Sequence, residues 1–179
     1  MDSATKILDI AERKMRQTGY NAVSYRDIAH EIGIKSASLH YHFPKKEDLG
    51  KALVQRYSDN FSDALSGLIS NNNSPHENIA AFVDLYRHEL KHRKLLCLCA
   101  VLGAEAAGLP ECVSEQVNEF FDRNITWLEN QYENMGVDNP ANKAKITLSL
   151  LSGAMTISAV NHDNSIFDAA VNSILNDLR

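Results

Sequence analysis

Two short helices joined by a tight turn are predicted by residues 24–49, which have the sequence SYRDIAHEIGIKSASLHYHFPKKEDL. Ser24 is placed to cap the first helix, and Asp27 follows three residues later, as in a capping box. Gly33 provides the backbone freedom that a sharp turn requires. Ser36 is expected to cap the second helix, which a proline ends. The segment therefore predicts a helix-turn-helix motif.

The second helix of this pair has an apolar side and a polar side. Leu39 and Phe43 lie four residues apart and are expected to be buried. The other side is rich in hydrogen-bond donors, and a short helix of this kind fits the major groove of DNA. The side chains expected to face outward are Lys35, Ser36, Ser38, His40 and His42.

The charge of the chain is unevenly distributed. Its 18 Lys and Arg against 23 Asp and Glu give a net charge of −5. Residues 1–57 hold ten basic and seven acidic side chains, whereas residues 58–179 hold eight and sixteen. A basic end on an acidic body suits a protein that presents one face to DNA. Chance also produces differences of this size, so the asymmetry supports DNA binding without deciding it.

The composition is that of an ordinary globular protein, with 44% hydrophobic and 23% charged residues. A chain of 179 residues can bury one sizeable core, or a small core and a medium one. The longest apolar runs are too short to span a membrane, and the first residues lack a signal-peptide pattern. Three cysteines give no disulfide framework. We therefore expect a cytoplasmic protein without a membrane partner.

Apolar residues recur at helical spacing along the rest of the chain, and no segment alternates with the period of a strand. A first helix is expected from a cap at Asp2 or Ser3 to about Thr18, with Arg16 facing outward. Residues 95–109 are the most apolar stretch and predict a central helix that is buried nearly all round. The predicted fold class is all-α, with about nine helices.

Two domains are predicted: a three-helix DNA-binding domain at residues 1–48 and a helical regulatory and dimerisation domain at residues 49–179. A long helix that starts near Lys45 is expected to join them. Small and large apolar residues are interleaved in residues 148–158, which lets helices approach closely. This favours a homodimer, because two-fold symmetry places two helices of this kind one DNA turn apart. Closure of the monomer's own core is the alternative.

The helix-turn-helix segment resembles the DNA-binding half of the TetR (AcrR-like) family of repressors. The matching blocks are Asp27-Ile28-Ala29, Gly33-Ile34, Ser38-Leu39, Tyr41-His42-Phe43 and Lys46-Glu47-x-Leu49, preceded by Ile7-Leu8-Asp9-x-Ala11 and Gly19-Tyr20. The resemblance covers about the first third of the chain. It implies a dimeric repressor of a palindromic double-stranded operator, released by a small-molecule effector, in which the last two helices of each subunit form a four-helix bundle.

Family positions imply which side chains contact DNA. Arg26, Tyr41, His42 and Lys46 are expected at phosphates. Ser36, Ser38 and His40 are expected at bases. The full set is Arg26, Lys35, Ser36, Ser38, His40, Tyr41, His42 and Lys46. Mere surface exposure is the alternative for any single member.

The segment from Cys97 onward resembles that of family members whose cysteine reacts with electrophiles or oxidants. Arg93 and Lys94 are close enough along the chain to lower the pKa of the Cys97 thiol. The alternative for Cys97 is a small apolar core residue, which is the favoured interpretation of Cys99. The residues proposed as walls of an effector pocket, which core packing would explain equally well, are Phe82, Tyr86, Phe120 and Trp127.

Other functional classes find less support in the sequence. No Gly-rich phosphate loop, nucleophile elbow or metalloprotease motif occurs, so an enzyme is not expected. His88 and His92 have the spacing of metal ligands but no acidic partner in register, so neither a metal nor another cofactor is expected. A helical adaptor without specific DNA binding is the alternative function, although an adaptor would not need a donor-rich second helix.

Overall fold

The computed structural model describes residues 3–70 and 73–177, and all regular secondary structure within them is helical. The α-helices are α1 (Ser3–Thr18), α2 (Tyr25–Ile32), α3 (Ser36–His42), α4 (Lys46–Ser70), α5 (Pro75–His88), α6 (Leu98–Ala104), α7 (Glu111–Asn134), α8 (Pro140–Asn161) and α9 (Ser165–Asn176). A π-helical turn follows α5 at Glu89–Arg93, and a 3-10 turn follows α6 at Ala106–Gly108. The predicted all-α class with about nine helices is confirmed. The cap predicted at Asp2 lies outside the described residues.

The chain forms two compact units. The first contains Met1–Asn60 and Leu98–Phe120, and the second contains Phe61–Cys97 and Phe121–Arg179. The first unit is therefore built from two separate stretches of sequence, and both α4 and α7 begin in it. Because these units are defined by contacts alone, the functional boundary after residue 48 stays a prediction.

Capping fixes both ends of α2. Ser24 Oγ accepts a hydrogen bond from the Asp27 backbone N–H, and the Asp27 carboxylate accepts one from the Ser24 backbone N–H, each at 3.2 Å. These contacts lower the pKa of Asp27. At the other end, Gly33 has a φ of 77° and donates its N–H to the carbonyls of Ala29 and His30. The capping box and the turn glycine are therefore where the sequence predicts them.

Helix α3 is held in place by packing rather than by its own cap. Leu39 is fully buried and Phe43 is 8% exposed, as predicted. The predicted cap at Ser36 is wrong, because Lys35 holds the N-cap position without a side-chain hydrogen bond and Ser36 is the first helical residue. The Tyr25 hydroxyl instead fixes the chain after α3, because it donates a shared hydrogen bond to the carbonyls of Phe43 (2.8 Å) and Lys45 (2.5 Å).

Two further sequence predictions are wrong. Arg16 is buried, with its guanidinium 5.5 Å from the centre of the Tyr57 ring and a 3.3 Å hydrogen bond to Glu12. Residues 95–109 form only the seven-residue α6 and a 3-10 turn, and their alanines 104, 106 and 107 are exposed. Small residues made this stretch appear apolar, but alanine and glycine bury little surface.

One face of α8 is apolar and exposed to solvent. Ile146, Leu150, Ile157 and Val160 are 59%, 36%, 51% and 73% exposed, and Gly153 lies between them. A Cβ atom at Gly153 would meet nothing within 4 Å, so this face is open along its length. We call these residues, with Gly153, the α8 stripe. The other side of α8 is buried by residues that include Leu148, Leu151 and Met155.

Replacing the α2 cap tests this account of the first unit. Ser24→Ala removes the acceptor for the Asp27 N–H, and we expect the free energy of unfolding to fall by about 1 kcal/mol. Because the pKa of Asp27 is lowered in the folded state, the contribution of its carboxylate is present at neutral pH and is lost as the pH falls through the folded pKa. Urea titration followed by circular dichroism measures the change. Ser24→Thr keeps the hydroxyl and serves as the control; equal stability of the Ala variant would contradict the assignment.

Candidate nucleic-acid interface

The recognition helix, α3, presents a mixed polar surface. Lys35 and His40 are exposed, and the large ring of Tyr41 is 83% exposed. Ser36, Ser38 and His42 are half-buried, so they are less prominent than the sequence predicts. Tyr41 lies edge-on to His42, with ring centres 5.2 Å apart. Exposing so much aromatic surface to water is unfavourable, and a partner that covers the ring removes this cost. The exposure of Tyr41 therefore fits a residue that contacts a partner.

His40 is oriented by two contacts within the first unit. Its Nδ1 lies 3.1 Å from the Pro44 carbonyl, and its ring centre lies 4.8 Å from that of Tyr25. A carbonyl can only accept, so Nδ1 carries the proton and Nε2 of the neutral ring is an acceptor. His40 can therefore accept a hydrogen bond from a base amino group.

Lys46 begins α4 and is held at two points. Its Nζ donates to the Asn21 carbonyl at 3.3 Å and lies 4.6 Å from the centre of the Tyr20 ring. Burial lowers the pKa of Lys46, and the nearby Glu105 carboxylate opposes that shift. Burial also raises the pKa of Tyr20 to about 12, so the ring beneath the ammonium group is a neutral phenol. The lysine is thus an oriented cation with two N–H donors left for a phosphate.

Arg26 is exposed near the start of α2, beside a surface cavity of about 590 Å³. Lys14 also lines this cavity and forms a 2.8 Å ion pair with Glu31, which Arg13 contacts as well. Arg26 and Lys14 bring two positive charges to this cavity, and the carboxylates of Asp27 and Glu31 line it as well.

Sequence reasoning missed Tyr25, Tyr20 and Asn21, which hold the predicted contact residues His40 and Lys46 in place. Burial raises the pKa of Tyr25 above its usual range, so its hydroxyl stays a donor to the backbone after α3. Only the Gly-Tyr pair at residues 19–20 gave a signal in the sequence, since it matched a family block. The partners of Asn21 lie 25 and 84 residues away, and no local pattern reveals them.

Three of the four proposed pocket residues come together in the second unit. Phe82 stacks on Tyr86 and on Trp127, with ring centres 5.5 and 5.4 Å apart, and Phe61 packs edge-on against the first two. Phe120 belongs to the first unit and packs on Tyr57 instead.

The indole N–H of Trp127 forms no hydrogen bond within the aromatic stack. Its Nε1 is buried without a hydrogen-bond partner among the described residues. The same side chain lines a cleft of about 290 Å³ between α4 and α7. A buried indole N–H usually has an acceptor, so Trp127 carries an unsatisfied donor close to the cleft that it lines.

Cys97 is 2% exposed and directly precedes α6, while Cys99 is fully buried. Arg93 forms an ion pair with Glu89 at 3.3 Å, and Lys94 is exposed. Reaction of Cys97 therefore requires an opening of this segment, and its sensing role stays a prediction. The rings of His88 and His92 lie 5.1 Å apart, but the described residues contain no group of three or more side chains suited to a metal ion.

Comparison with known proteins identifies the family. The family model described as "Bacterial regulatory proteins, tetR family" matches residues 7–53. A TetR transcriptional regulator from Legionella pneumophila has a solved structure that is 32% identical, covers all of this chain and 98% of its own, and superposes with a TM-score of 0.95. The chain belongs to the TetR family. A TetR-family regulator from Agrobacterium tumefaciens is 29% identical, with coverage of 97% and 96% and a TM-score of 0.92.

The TetR-family model spans every residue assigned here to DNA contact, from Arg26 to Lys46. Among curated relatives, the HTH-type transcriptional regulator BetI of Brucella canis is 33% identical over 78 residues. That match covers 44% of this chain and 39% of BetI, so it is confined to less than half of the relative's length. The TetR family consists of transcriptional regulators. No helix within residues 3–70 or 73–177 is long and apolar enough to cross a membrane.

Removing the oriented cation tests the interface. Lys46→Ala should weaken binding to all DNA sequences and reduce the slope of log K against log salt by about one unit, because one phosphate contact is lost. Fluorescence anisotropy at several salt concentrations measures both effects. Lys51→Ala removes an equal charge from an exposed position on the same helix and should leave the slope unchanged. A slope that is identical in wild type and Lys46→Ala would count against the phosphate contact.

Proposed function

We propose that this protein is a dimeric transcriptional repressor, which binds a palindromic operator through α3 and is released by a small ligand or by thiol modification. The observation that supports it best is the recognition helix, which exposes Tyr41 and His40 and has the exposed Lys35 at its N-cap. The oriented ammonium group of Lys46 belongs to the helix that follows. These groups supply base-edge and phosphate contacts on one short helix and its neighbour. The proposed activity is binding rather than catalysis, and it places the protein in the cytoplasm with its operator.

The α8 stripe supports dimerisation. Its residues, from Ile146 to Val160, recur at intervals of four, three, four and three, which is the spacing of a seam between packed helices. Exposed apolar surface is costly in water, and Gly153 allows a second helix to approach closely. A second copy of the chain is the partner that fits, because the same stripe on both subunits can satisfy two-fold symmetry.

Two-fold symmetry also explains how a short recognition helix achieves specificity. One seven-residue helix reaches only a few base pairs, whereas two of them about 34 Å apart can enter successive major grooves of one duplex. Release then requires only that an effector favour a different separation or angle of the two helices. We assign transmission of this change to α4, because Lys46 is its first residue and the helix is continuous to Ser70.

Two routes to release are proposed. A small molecule with an apolar body suits the Trp127 cleft, which Leu65 also lines. Modification of Cys97 is the other route, because adding a group to a buried thiol before α6 would disturb the packing of that segment.

A charge on the α8 stripe tests the proposed function as a whole. Ile157→Glu should convert the dimer to a monomer and weaken operator binding at least about a hundredfold, since the two half-sites no longer act together. Light scattering and a gel shift against the DNA upstream of the protein's own gene measure the two effects. Asn60→Glu introduces the same side chain at an exposed position of α4 and should do neither. A monomeric wild type, or one without preference for any DNA fragment, would refute the proposal.

Alkylation tests the thiol route separately. N-ethylmaleimide should release wild-type protein and the Cys112→Ser variant from the operator, and Cys97→Ser should resist release. Mass spectrometry locates the modified thiol in each sample. Cys112 is the half-exposed cysteine and so provides the matched control. Protein that is alkylated at Cys97 and still binds its operator would end the thiol hypothesis, leaving ligand binding as the proposed route.

A further inference from the structure

A carboxylate from residues 98–120, the second segment of the first unit, forms hydrogen bonds to the turn between α1 and α2. Glu105 lies between α6 and the following 3-10 turn. Its Oε2 accepts hydrogen bonds from the backbone N–H of Asn21 at 3.0 Å and from Asn21 Nδ2 at 2.7 Å. Both donors of one residue are thus bound to one oxygen that comes from 84 residues further along the chain.

Glycines allow this close approach. Gly19 ends α1 with a φ of 87°, and a Cβ atom there would lie 1.7 Å from Glu105 Oε1. A Cβ atom at Gly108 would lie 3.2 Å from Asn21 Nδ2, and one at Gly50 would lie 2.8 Å from Tyr20. Two segments, residues 105–108 and α4 at Gly50, therefore lie close against the turn at residues 19–21, where glycines leave space for the side chains of Glu105, Asn21 and Tyr20.

The same turn holds Lys46. The Asn21 carbonyl accepts the hydrogen bond from Lys46 Nζ, and the Tyr20 ring lies under the ammonium group. We infer that Glu105 is a positioning residue for DNA binding: it fixes the turn at residues 19–21 and, through Asn21 and Tyr20, the direction in which Lys46 offers its charge. The inference depends on the proposed function, because it assigns Lys46 to a phosphate contact.

Electrostatics and positioning predict opposite effects when Glu105 is removed. A carboxylate near Lys46 repels DNA phosphates, so its loss should tighten binding if charge alone matters. If Glu105 positions Lys46, its loss should weaken binding despite the more favourable charge. Glu105→Gln separates the two, since glutamine keeps an acceptor for Asn21 and removes the charge.

The experiment measures operator affinity by fluorescence anisotropy for the full-length variants. Glu105→Ala should raise the operator Kd about tenfold, because the turn and Lys46 must then be ordered when DNA binds. Glu105→Gln should bind as well as wild type or better. Glu115→Ala removes an exposed carboxylate from α7 in the same unit and should have little effect. Thermal unfolding of each variant shows that it is folded at the assay temperature.

A double-mutant cycle shows whether Glu105 acts through Lys46. In the Lys46→Ala background, Glu105→Ala should raise the Kd by no more than about twofold, because coupled residues are not additive. Hydrogen exchange of the Asn21 amide provides a readout without DNA: exchange should be faster in Glu105→Ala and restored in Glu105→Gln.

Three results would overturn the inference: an Ala variant that binds as tightly as wild type, an equal loss in both backgrounds, or an Asn21 amide whose exchange does not change. These three results can be told apart from a failure of the proposed function. In that case the wild-type protein itself binds no operator, and the inference about Glu105 is refuted as well.

Discussion

The structure depends on holding a seven-residue helix in one conformation, which such a helix cannot maintain by itself in water. Burial of Leu39 and Phe43 fixes one side of α3, and the Tyr25 hydroxyl fixes the backbone that leaves it. The capping box and Gly33 fix α2, on which α3 packs. Because the buried side of α3 is fixed in this way, its polar side can be exposed to solvent and still keep one orientation.

The first compact unit contains more than the first residues of the chain. Residues 98–120 belong to it, and they bring Glu105 to the α1–α2 turn and Val113 to the vicinity of Gly50. The chain enters this stretch from Cys97 and leaves it within α7, so both of its ends are covalently joined to the second unit.

Local patterns in the sequence predicted the features that are local in the structure. The capping box at Ser24, the turn at Gly33 and the burial of Leu39 each depend on residues within one or two helical turns. The N-cap predicted at Ser36 was wrong by one residue, because spacing alone does not distinguish the N-cap from the first helical position. Residues 95–109 misled because hydropathy counts alanine and glycine as apolar.

Features that depend on distant residues could not be predicted in this way. The hydrogen bonds of Asn21 to Glu105 and the stacking of Arg16 on Tyr57 join residues far apart in sequence, and neither pair has a local signature. Family resemblance predicted DNA contacts at residues of α2–α4, but the orientation of His40 and Lys46 required the fold. The grouping of Phe82, Tyr86 and Trp127, with Phe120 in the other unit, likewise follows from packing rather than spacing.

In the proposed dimer, two copies of α3 are held at a fixed separation on one duplex. Selection of bound sequences from a random DNA pool, followed by changes to the spacing between the selected half-sites, tests whether this separation is fixed. The account predicts palindromes with half-sites about ten base pairs apart, and loss of binding when about five base pairs are inserted, because the second site then faces the opposite side of the duplex. Selected sequences without two-fold symmetry, or affinity that does not depend on the spacing, would contradict it.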